Sequence, residues 1–250
     1  MNNSLKRIFI LARRNIKEII RDPLSLIFTL AMPLVMELLF YAIFHKLTSQ
    51  FEMKYLAPGI VVFSQSFLTL FTGTLISTDR NTSFLTRLYV SKAKSYEFIT
   101  AYLISVLPIA LVQSVLFFIV GGIFDPSLFG LGMIFAILLS LVTSLFFIAM
   151  GILFGSCFSE KSIGGVASIV IAGQSVLSGM WFPVEGLGNT ILTIMKILPF
   201  KNATMVIQNA VIGYENSFVD IILPLLIIIA YTALVFVFAV LVFRKKMKNQ

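Results

Sequence analysis

Glu37 lies deep in an apolar run that begins at Leu24, and it is the one ionisable side chain well inside any such run of the sequence. As a helix the run would carry it about 20 Å from its start, roughly 10 Å short of the far surface of a bilayer. A carboxyl at that depth must be protonated, paired or turned to water, so it is either a functional group on a transport path or a structural hydrogen-bonding residue. Gln65, Gln113 and Gln174 add one amide to each of three further apolar runs, where such amides line a path or join helices. One carboxyl is a sparse set for proton coupling. Catalytic sets are missing. Gly155 to Ser162 reads GSCFSEKS, but a phosphate-binding loop needs glycine immediately before the lysine, and Glu160 stands before Lys161. The sequence therefore predicts no nucleotide site in this chain. His45 is the single histidine, and neither HExxH nor a GxSxG elbow occurs, which argues against zinc chemistry and intramembrane proteolysis. The lone Cys157 leaves no intrachain disulfide.

The elements that must position these groups follow from composition. Over 250 residues, 58% are hydrophobic and 12% charged, with a mean hydropathy of +1.00. A soluble chain carries about twice that share of charge, so this is an integral membrane protein. Six stretches are long enough to cross about 30 Å of hydrocarbon: Leu24 to Phe44, Leu56 to Thr78, Ile99 to Gly122, Leu128 to Phe154, Ile163 to Trp181 and Ile221 to Phe243.

The formal charge of +8 is placed as topology rather than as a nucleic-acid footprint. Lys6, Arg7, Arg13, Arg14, Lys17, Arg21, Arg80, Arg87, Lys92, Lys94, Lys161, Arg244, Lys245, Lys246 and Lys248 fall on the side of the termini; Lys46, Lys54, Lys196 and Lys201 fall on the other. Basic residues are retained in cytoplasmic loops, so both termini are expected in the cytoplasm and the protein in the cell membrane. The N-terminal basic stretch is too long for a signal peptide, and no cleavage pattern follows it.

Three segments do not span. Residues 1–22 form an expected interfacial helix: Leu5, Ile8, Phe9, Ala12, Ile16, Ile19 and Ile20 make one apolar stripe, while Lys6, Arg13, Arg14, Lys17 and Arg21 occupy other faces, and Asp22-Pro23 ends it. It reads as a membrane anchor or as a contact surface for a cytoplasmic partner. Residues 79–97 make a polar cytoplasmic connection in which Phe84, Leu85, Leu88 and Tyr89 keep helical spacing; Ser95 with Glu97 is expected to cap the third span. Residues 182–220 form an external cap, with short helices from Asn189 to Leu198 and from Asn202 to Ile212, apolar yet too short to cross, and so re-entrant or interfacial. Gly151 with Gly155, and Gly164 with Ser168 and Ala172, are expected on facing helices; Trp181 with Phe182, and Tyr41 with Phe44, suggest an outer aromatic belt.

In this order the elements resemble the membrane subunit of exporter-type ABC transporters, the type-two permease family. The resemblance spans the chain: the basic helix running into RDPLSLIFTLAMP (Arg21 to Pro33), YLAPGI (Tyr55 to Ile60) opening the second span, and SGMWFPVEGLGNTILTIMKILPF (Ser178 to Phe200) before the last span and basic tail. The cytoplasmic connection is a weaker match; Asp79 to Leu85 and Ser91 to Ala93 keep the polarity of the family's ERExGTLExLxxTP pattern without its Gly-Thr and Thr-Pro.

The resemblance implies an all-α membrane protein, residues 1–250 forming one six-span domain without a nucleotide-binding domain or cofactor of its own. It would act as a dimer, with itself or a related permease, over two copies of a separate ATP-binding ATPase. A drug, amphipathic peptide or other hydrophobic substrate would pass between the halves. The residues expected to couple to the ATPase are Arg13, Arg14, Lys17, Arg21, Arg80, Phe84, Leu85, Arg87 and Leu88; those expected along the path are Glu37, Gln65 and Gln174. Rival readings are a polysaccharide or lipid-linked glycan exporter, an ion- or proton-coupled secondary transporter, which would be expected to show repeated halves and more buried charge, and a non-transporting scaffold.

Overall fold

The computed structural model describes residues 3–81, 94–181, 188–213 and 218–248. The structure is 91% helical, and no strand occurs among the described residues. The expected amphipathic segment with Phe84, Leu85, Arg87, Leu88 and Tyr89, and Phe182 of the expected belt, lie outside the described residues.

Helix α1 runs Asn3–Arg21 and α2 runs Pro23–Phe44. Pro23 sits at the start of α2, where its missing N–H costs nothing, and Asp22 caps that start by accepting the Ser25 N–H. A 3₁₀ turn (Ser49–Phe51) leads to α3 (Met53–Asn81), then come α4 (Ser95–Phe124), α5 (Leu131–Cys157) and α6 (Glu160–Leu177). Two short helices follow, α7 (Asn189–Ile197) and α8 (Pro199–Ile212); a π-helical turn at Phe218–Ile222 then opens α9 (Leu223–Lys248).

Five segments are long and apolar enough to cross a bilayer: Pro23–Phe44, Met53–Arg80, Ser95–Phe124, Leu131–Cys157 and Val219–Lys245. The pair α7–α8, bent by 78°, makes a sixth if counted as one broken span. The expected fifth span, Ile163 to Trp181, is the 18-residue α6, which ends before a turn at Gly179 with φ of +74°. At about 27 Å it is the shortest of the long membrane helices, and Glu160 and Lys161 take up its first turn.

Helix α3 is the axis of the bundle. Of its membrane window 78% is buried, against 17% for α2 and for α9. It packs against α2, α4, α5, α6 and α8. One apolar core surrounds its first half with Phe117, Phe118, Phe147 and Ile207, and a second surrounds its last turns with Ile19, Phe98, Tyr102 and Phe243. The outward faces of α2 and α9 carry large exposed side chains such as Ile27, Phe28, Leu226 and Phe238, as a lipid-facing surface should.

Several expectations need correction. The stripe on α1 splits: Ala12 and Ile19 are buried against the bundle, whereas Leu5, Phe9 and Ile20 are exposed. The connection expected at 79–97 is helical at both ends, with Asp79 inside α3 and Glu97 inside α4, each only 1% exposed. Ser95 is the first residue of α4 rather than its cap; Glu97 reaches back to accept the Lys94 N–H at 2.9 Å. The second short helix begins at Pro199, not Asn202, because proline is well suited to a first helical position. Of the two expected placements, re-entrant and interfacial, it takes the inserted one, packing among α3, α5 and α9 and burying Ala203, Val206 and Ile207. Phe44 and Trp181 belong to an aromatic cluster with Phe40 and Phe51, with Phe40 and Trp181 centroids 4.2 Å apart, so they knit elements together instead of forming a belt.

Candidate functional site

The densest polar chemistry sits where α1 crosses the ends of α3 and α4. Arg14 donates one hydrogen bond of 2.6 Å from each terminal nitrogen to the two oxygens of Asp79, and Tyr102 donates its hydroxyl to the same carboxylate. Arg14 also reaches the buried Asn15 at 3.1 Å. A two-pronged Arg–carboxylate pair fixes direction as well as distance. Burial works against the charged guanidinium, but the hydrogen bonding and charge of Asp79 outweigh it and hold Arg14 above its ordinary value. Asp79 lies in the last turn of α3, where the helix dipole disfavours an acid, so the fold has to bring a cation to it.

A second latch closes the start of α1. Ser4 donates to Glu97 at 2.5 Å, and Arg7 lies 3.6 Å from the other oxygen of that carboxylate. Midway, Ser105 donates to the Ala12 carbonyl. Helix α1 is thus tied along its length to α4 and, through Arg14, to α3. Glu18 makes the third acid of the cluster. Burial and the Asp79 charge push its pKa up, and Arg14 and Arg21 pull it down without cancelling the rise.

The residues expected to couple are sorted by this geometry. Arg14 turns into the bundle, while Arg13, Lys17 and Arg21 are exposed along one row of α1, around a shallow concavity of about 700 Å³ that Phe9 and Ile10 share. Arg80 donates to the carbonyls of Gly155, Ser156 and Phe158 at 2.7, 2.9 and 3.0 Å, closing the C-terminal end of α5 where the carbonyls lack helical partners. Gly155 to Ser162 is accordingly a tight α5–α6 connection held by Arg80.

The residues expected on a path are not brought together. Gln65 donates to the Ser140 carbonyl and accepts from Thr143, joining α3 to α5. Gln174 donates to Thr204 at 3.3 Å, joining α6 to α8. Gln113 donates to the carbonyls of Ser64 and Thr29; the latter would otherwise lack a helical donor, because Pro33 four residues on has no N–H. Glu37 is fully buried beside Gly121 of α4, and among the described residues neither carboxyl oxygen meets a hydrogen-bond partner.

Small residues also divide. A Cβ on Gly151 would lie 2.7 Å from the Thr69 carbonyl oxygen, and one on Gly155 would lie 2.7 Å from that of Gly73, so α3 and α5 touch backbone to backbone. Gly151 and Gly155 therefore face α3 and not the small residues of α6. Gly164 and Gly165 meet nothing within 4 Å, and Ser168 and Ala172 are exposed.

Asp79, Tyr102 and the Ser4–Glu97 contact were not singled out from the sequence. The available signal was Asp79 itself, an acid at the wrong end of an apolar helix followed by a single arginine; its partner lies 65 residues away, where no local pattern points.

Residues 6–212 match the family model described as ABC-2 type transporter. No curated protein matches the chain.

Proposed function

Since the chain belongs to the ABC-2 type transporter family, we propose that it is the permease of an ATP-driven exporter of hydrophobic or amphipathic molecules, working as a pair over a separate ATPase. The observation that carries this reading is the double latch on α1. A helix with Arg13, Lys17 and Arg21 outward and Arg14 locked to Asp79 is suited to receive a push from a cytoplasmic partner and pass it to α3 and α4. In this reading Arg13, Lys17, Arg21 and the segment with Phe84, Leu85, Arg87 and Leu88 contact the ATPase, and Arg14 and Arg80 transmit the movement within the bundle. ATP is bound by the partner.

The pairing is supported by α6. Its outward face carries a strip of small residues, Gly164, Gly165, Ser168 and Ala172, flanked by the exposed Ile169 and Val176. Small faces let two membrane helices approach closely, so a second copy fits there better than acyl chains. The uneven distribution of basic residues supports cytoplasmic termini in the cell membrane. Of the expected path residues, Glu37 keeps its role in this proposal, because Gln65 and Gln174 have hydrogen-bonding duties between helices; a path opening beside α2 during the cycle would expose it.

The test is reconstitution with an ATPase subunit encoded beside this chain. ATP-dependent movement of a hydrophobic dye out of the cytoplasmic side, lost in Arg14→Ala with insertion intact, is the expected result. Transport that needs an ion gradient and no ATPase would replace the reading with secondary transport, and an ATPase-bound chain that moves nothing would leave a scaffold. After Cys157→Ala, cysteines at Lys161 and Lys46 should label from the cytoplasm and from outside respectively; labelling of position 161 from outside overturns the orientation.

A further inference from the structure

The outward face of α1 carries positive charge that no acid beside it offsets. At about 100° per residue, Lys6, Arg13 and Lys17 fall within about 40° of one another around the helix, and all three are exposed. None has an acid three or four residues away with which to pair along the helix, and Arg13 and Lys17, one turn apart, repel each other. The acids of α1 and of the helix ends around it are engaged elsewhere. Glu97 receives Ser4 and Arg7, Asp79 receives Arg14 and Tyr102, and Asp22 caps α2. Glu18 is paired with Arg14 at 2.7 Å and lies about 100° round the helix from Lys17. Arg21, next in the row, is close enough to Glu18 to pull its pKa down and is the least free of the four cations. Among the described residues no ion pair includes Lys6, Arg13 or Lys17.

An apolar edge runs beside these cations. Leu5, Phe9 and Ile20 lie within about 60° of one another, next to Arg13, and are 57%, 69% and 66% exposed. Ile20 is followed along the chain by the exposed Leu24, Ile27 and Phe28 of α2, where the lipid-facing surface begins. A row of cations alone would suit a water-soluble partner. A row bordered by large apolar side chains suits a leaflet, in which acyl chains cover the edge and phosphates meet the charges. The Ser4–Glu97 and Arg14–Asp79 contacts hold α1 against the bundle, so the cations keep fixed positions and form a site instead of exerting a diffuse attraction.

We propose that Lys6, Arg13 and Lys17, with Leu5, Phe9 and Ile20 beside them, bind anionic phospholipids through their phosphate head groups, in the leaflet on the side of the termini. The proposal goes beyond the exporter reading, since lipid binding needs neither ATP nor a second subunit. Lys6 is not among the residues assigned to the ATPase; where the ATPase meets Arg13 and Lys17, it shares the row with these lipids.

The experiment reconstitutes the full-length chain, without ATPase or nucleotide, in phosphatidylcholine bilayers. Electron spin resonance then compares the association of spin-labelled phosphatidylglycerol with that of spin-labelled phosphatidylcholine. The wild type should hold the anionic lipid in preference, and less so at high salt. The combined change Lys6→Gln, Arg13→Gln and Lys17→Gln should lower the preference about fivefold; glutamine removes the charge at nearly the same helix propensity. Arg13→Glu alone, at an exposed position, should also lower it and protects the test if the triple variant does not fold. A control triple in the tail, Lys245→Gln, Lys246→Gln and Lys248→Gln, should keep the preference. A wild type without preference, a preference untouched by the α1 variants, or one lost equally in the tail control overturns the proposal and leaves the row to the ATPase alone. Because the assay contains no ATPase, failure of ATP-driven transport leaves this site standing, and failure of the lipid assay leaves the exporter reading standing.

Discussion

Arg14 and Asp79 are 65 residues apart in the chain and meet through a pair of 2.6 Å hydrogen bonds, one from each nitrogen of the guanidinium to each oxygen of the carboxylate. The contact joins the interfacial helix to the end of the most buried membrane helix, and Tyr102 extends it to α4. A rigid, directional link at this place makes α1 part of the bundle and not a floating anchor.

Removing Arg14 takes the two-pronged guanidinium from the buried Asp79 carboxylate, and because the Arg14 side chain is 32% exposed the cost lies toward the low end of the about 3–5 kcal/mol of a fully buried pair; removing Asp79 still leaves Arg14 its 2.7 Å contact with Glu18. Arg14→Ala and Asp79→Ala are therefore expected to lower thermal stability sharply, with Arg14→Lys intermediate because it cannot offer two nitrogens. The double change Arg14→Met with Asp79→Leu should regain most of the stability and still fail to couple ATP hydrolysis to transport. Thermal unfolding in detergent, set beside ATPase and transport assays, measures both; normal coupling in the stable double variant would show the pair to be structural only.

Glu18 gives a pH dependence whose sign is fixed. Burial first and the Asp79 charge second raise its pKa above 4.5, against the pull of Arg14 and Arg21, so the fold favours the protonated acid more than the unfolded chain does. That contribution is complete below the unfolded value and is lost as pH rises through the folded one. The melting temperature of Glu18→Gln relative to wild type should therefore climb as pH rises from below the ordinary carboxylate value through the raised one. A constant difference across that range would show that Glu18 carries no such strain.

Gly151→Ala and Gly155→Ala place a methyl 2.7 Å from backbone oxygens of α3, and overpacking of this kind costs about 1–3 kcal/mol each. Larger residues should prevent folding. Gly165→Leu meets open space and improves helix propensity by about 1 kcal/mol, so the single chain should fold as well as wild type. Cross-linking across α6 should nevertheless fall, because the bulk lies on the face proposed to meet the second copy. Unchanged cross-linking would move the pair interface elsewhere.

Glu37→Leu is expected to stabilise the protein. The carboxyl is buried with no hydrogen-bond partner among the described residues, and an unsatisfied buried polar group costs about 1–3 kcal/mol. Leucine removes that cost at similar volume. Glu37→Gln should insert normally but change transport rate or substrate preference if the residue meets cargo. A stabilised Glu37→Leu that transports the full substrate panel would mark Glu37 as unneeded on the path.

Sequence alone determined the membrane class, the placing of the apolar runs, the interfacial helix and the two short helices before the last run, because each rests on a signal local to its own segment: apolar length, charge at run ends, Pro199 and Gly213 as breaks. Tertiary structure decided which face of α1 turns inward, that Arg14 rather than Arg13 or Lys17 meets Asp79, and that Gly151 and Gly155 receive α3 while the small face of α6 stays open. The stripe of Leu5, Phe9, Ala12 and Ile19 could not reveal this, since an apolar side chain suits lipid and protein core alike, and periodicity does not distinguish the two surroundings. A cleft of about 660 Å³ between the end of α1, the first half of α2 and the last turns of α3 was illegible for a related reason. Its walls come from three helices, and only their packing brings Asp22 and Thr74, distant in the chain, to the same trough.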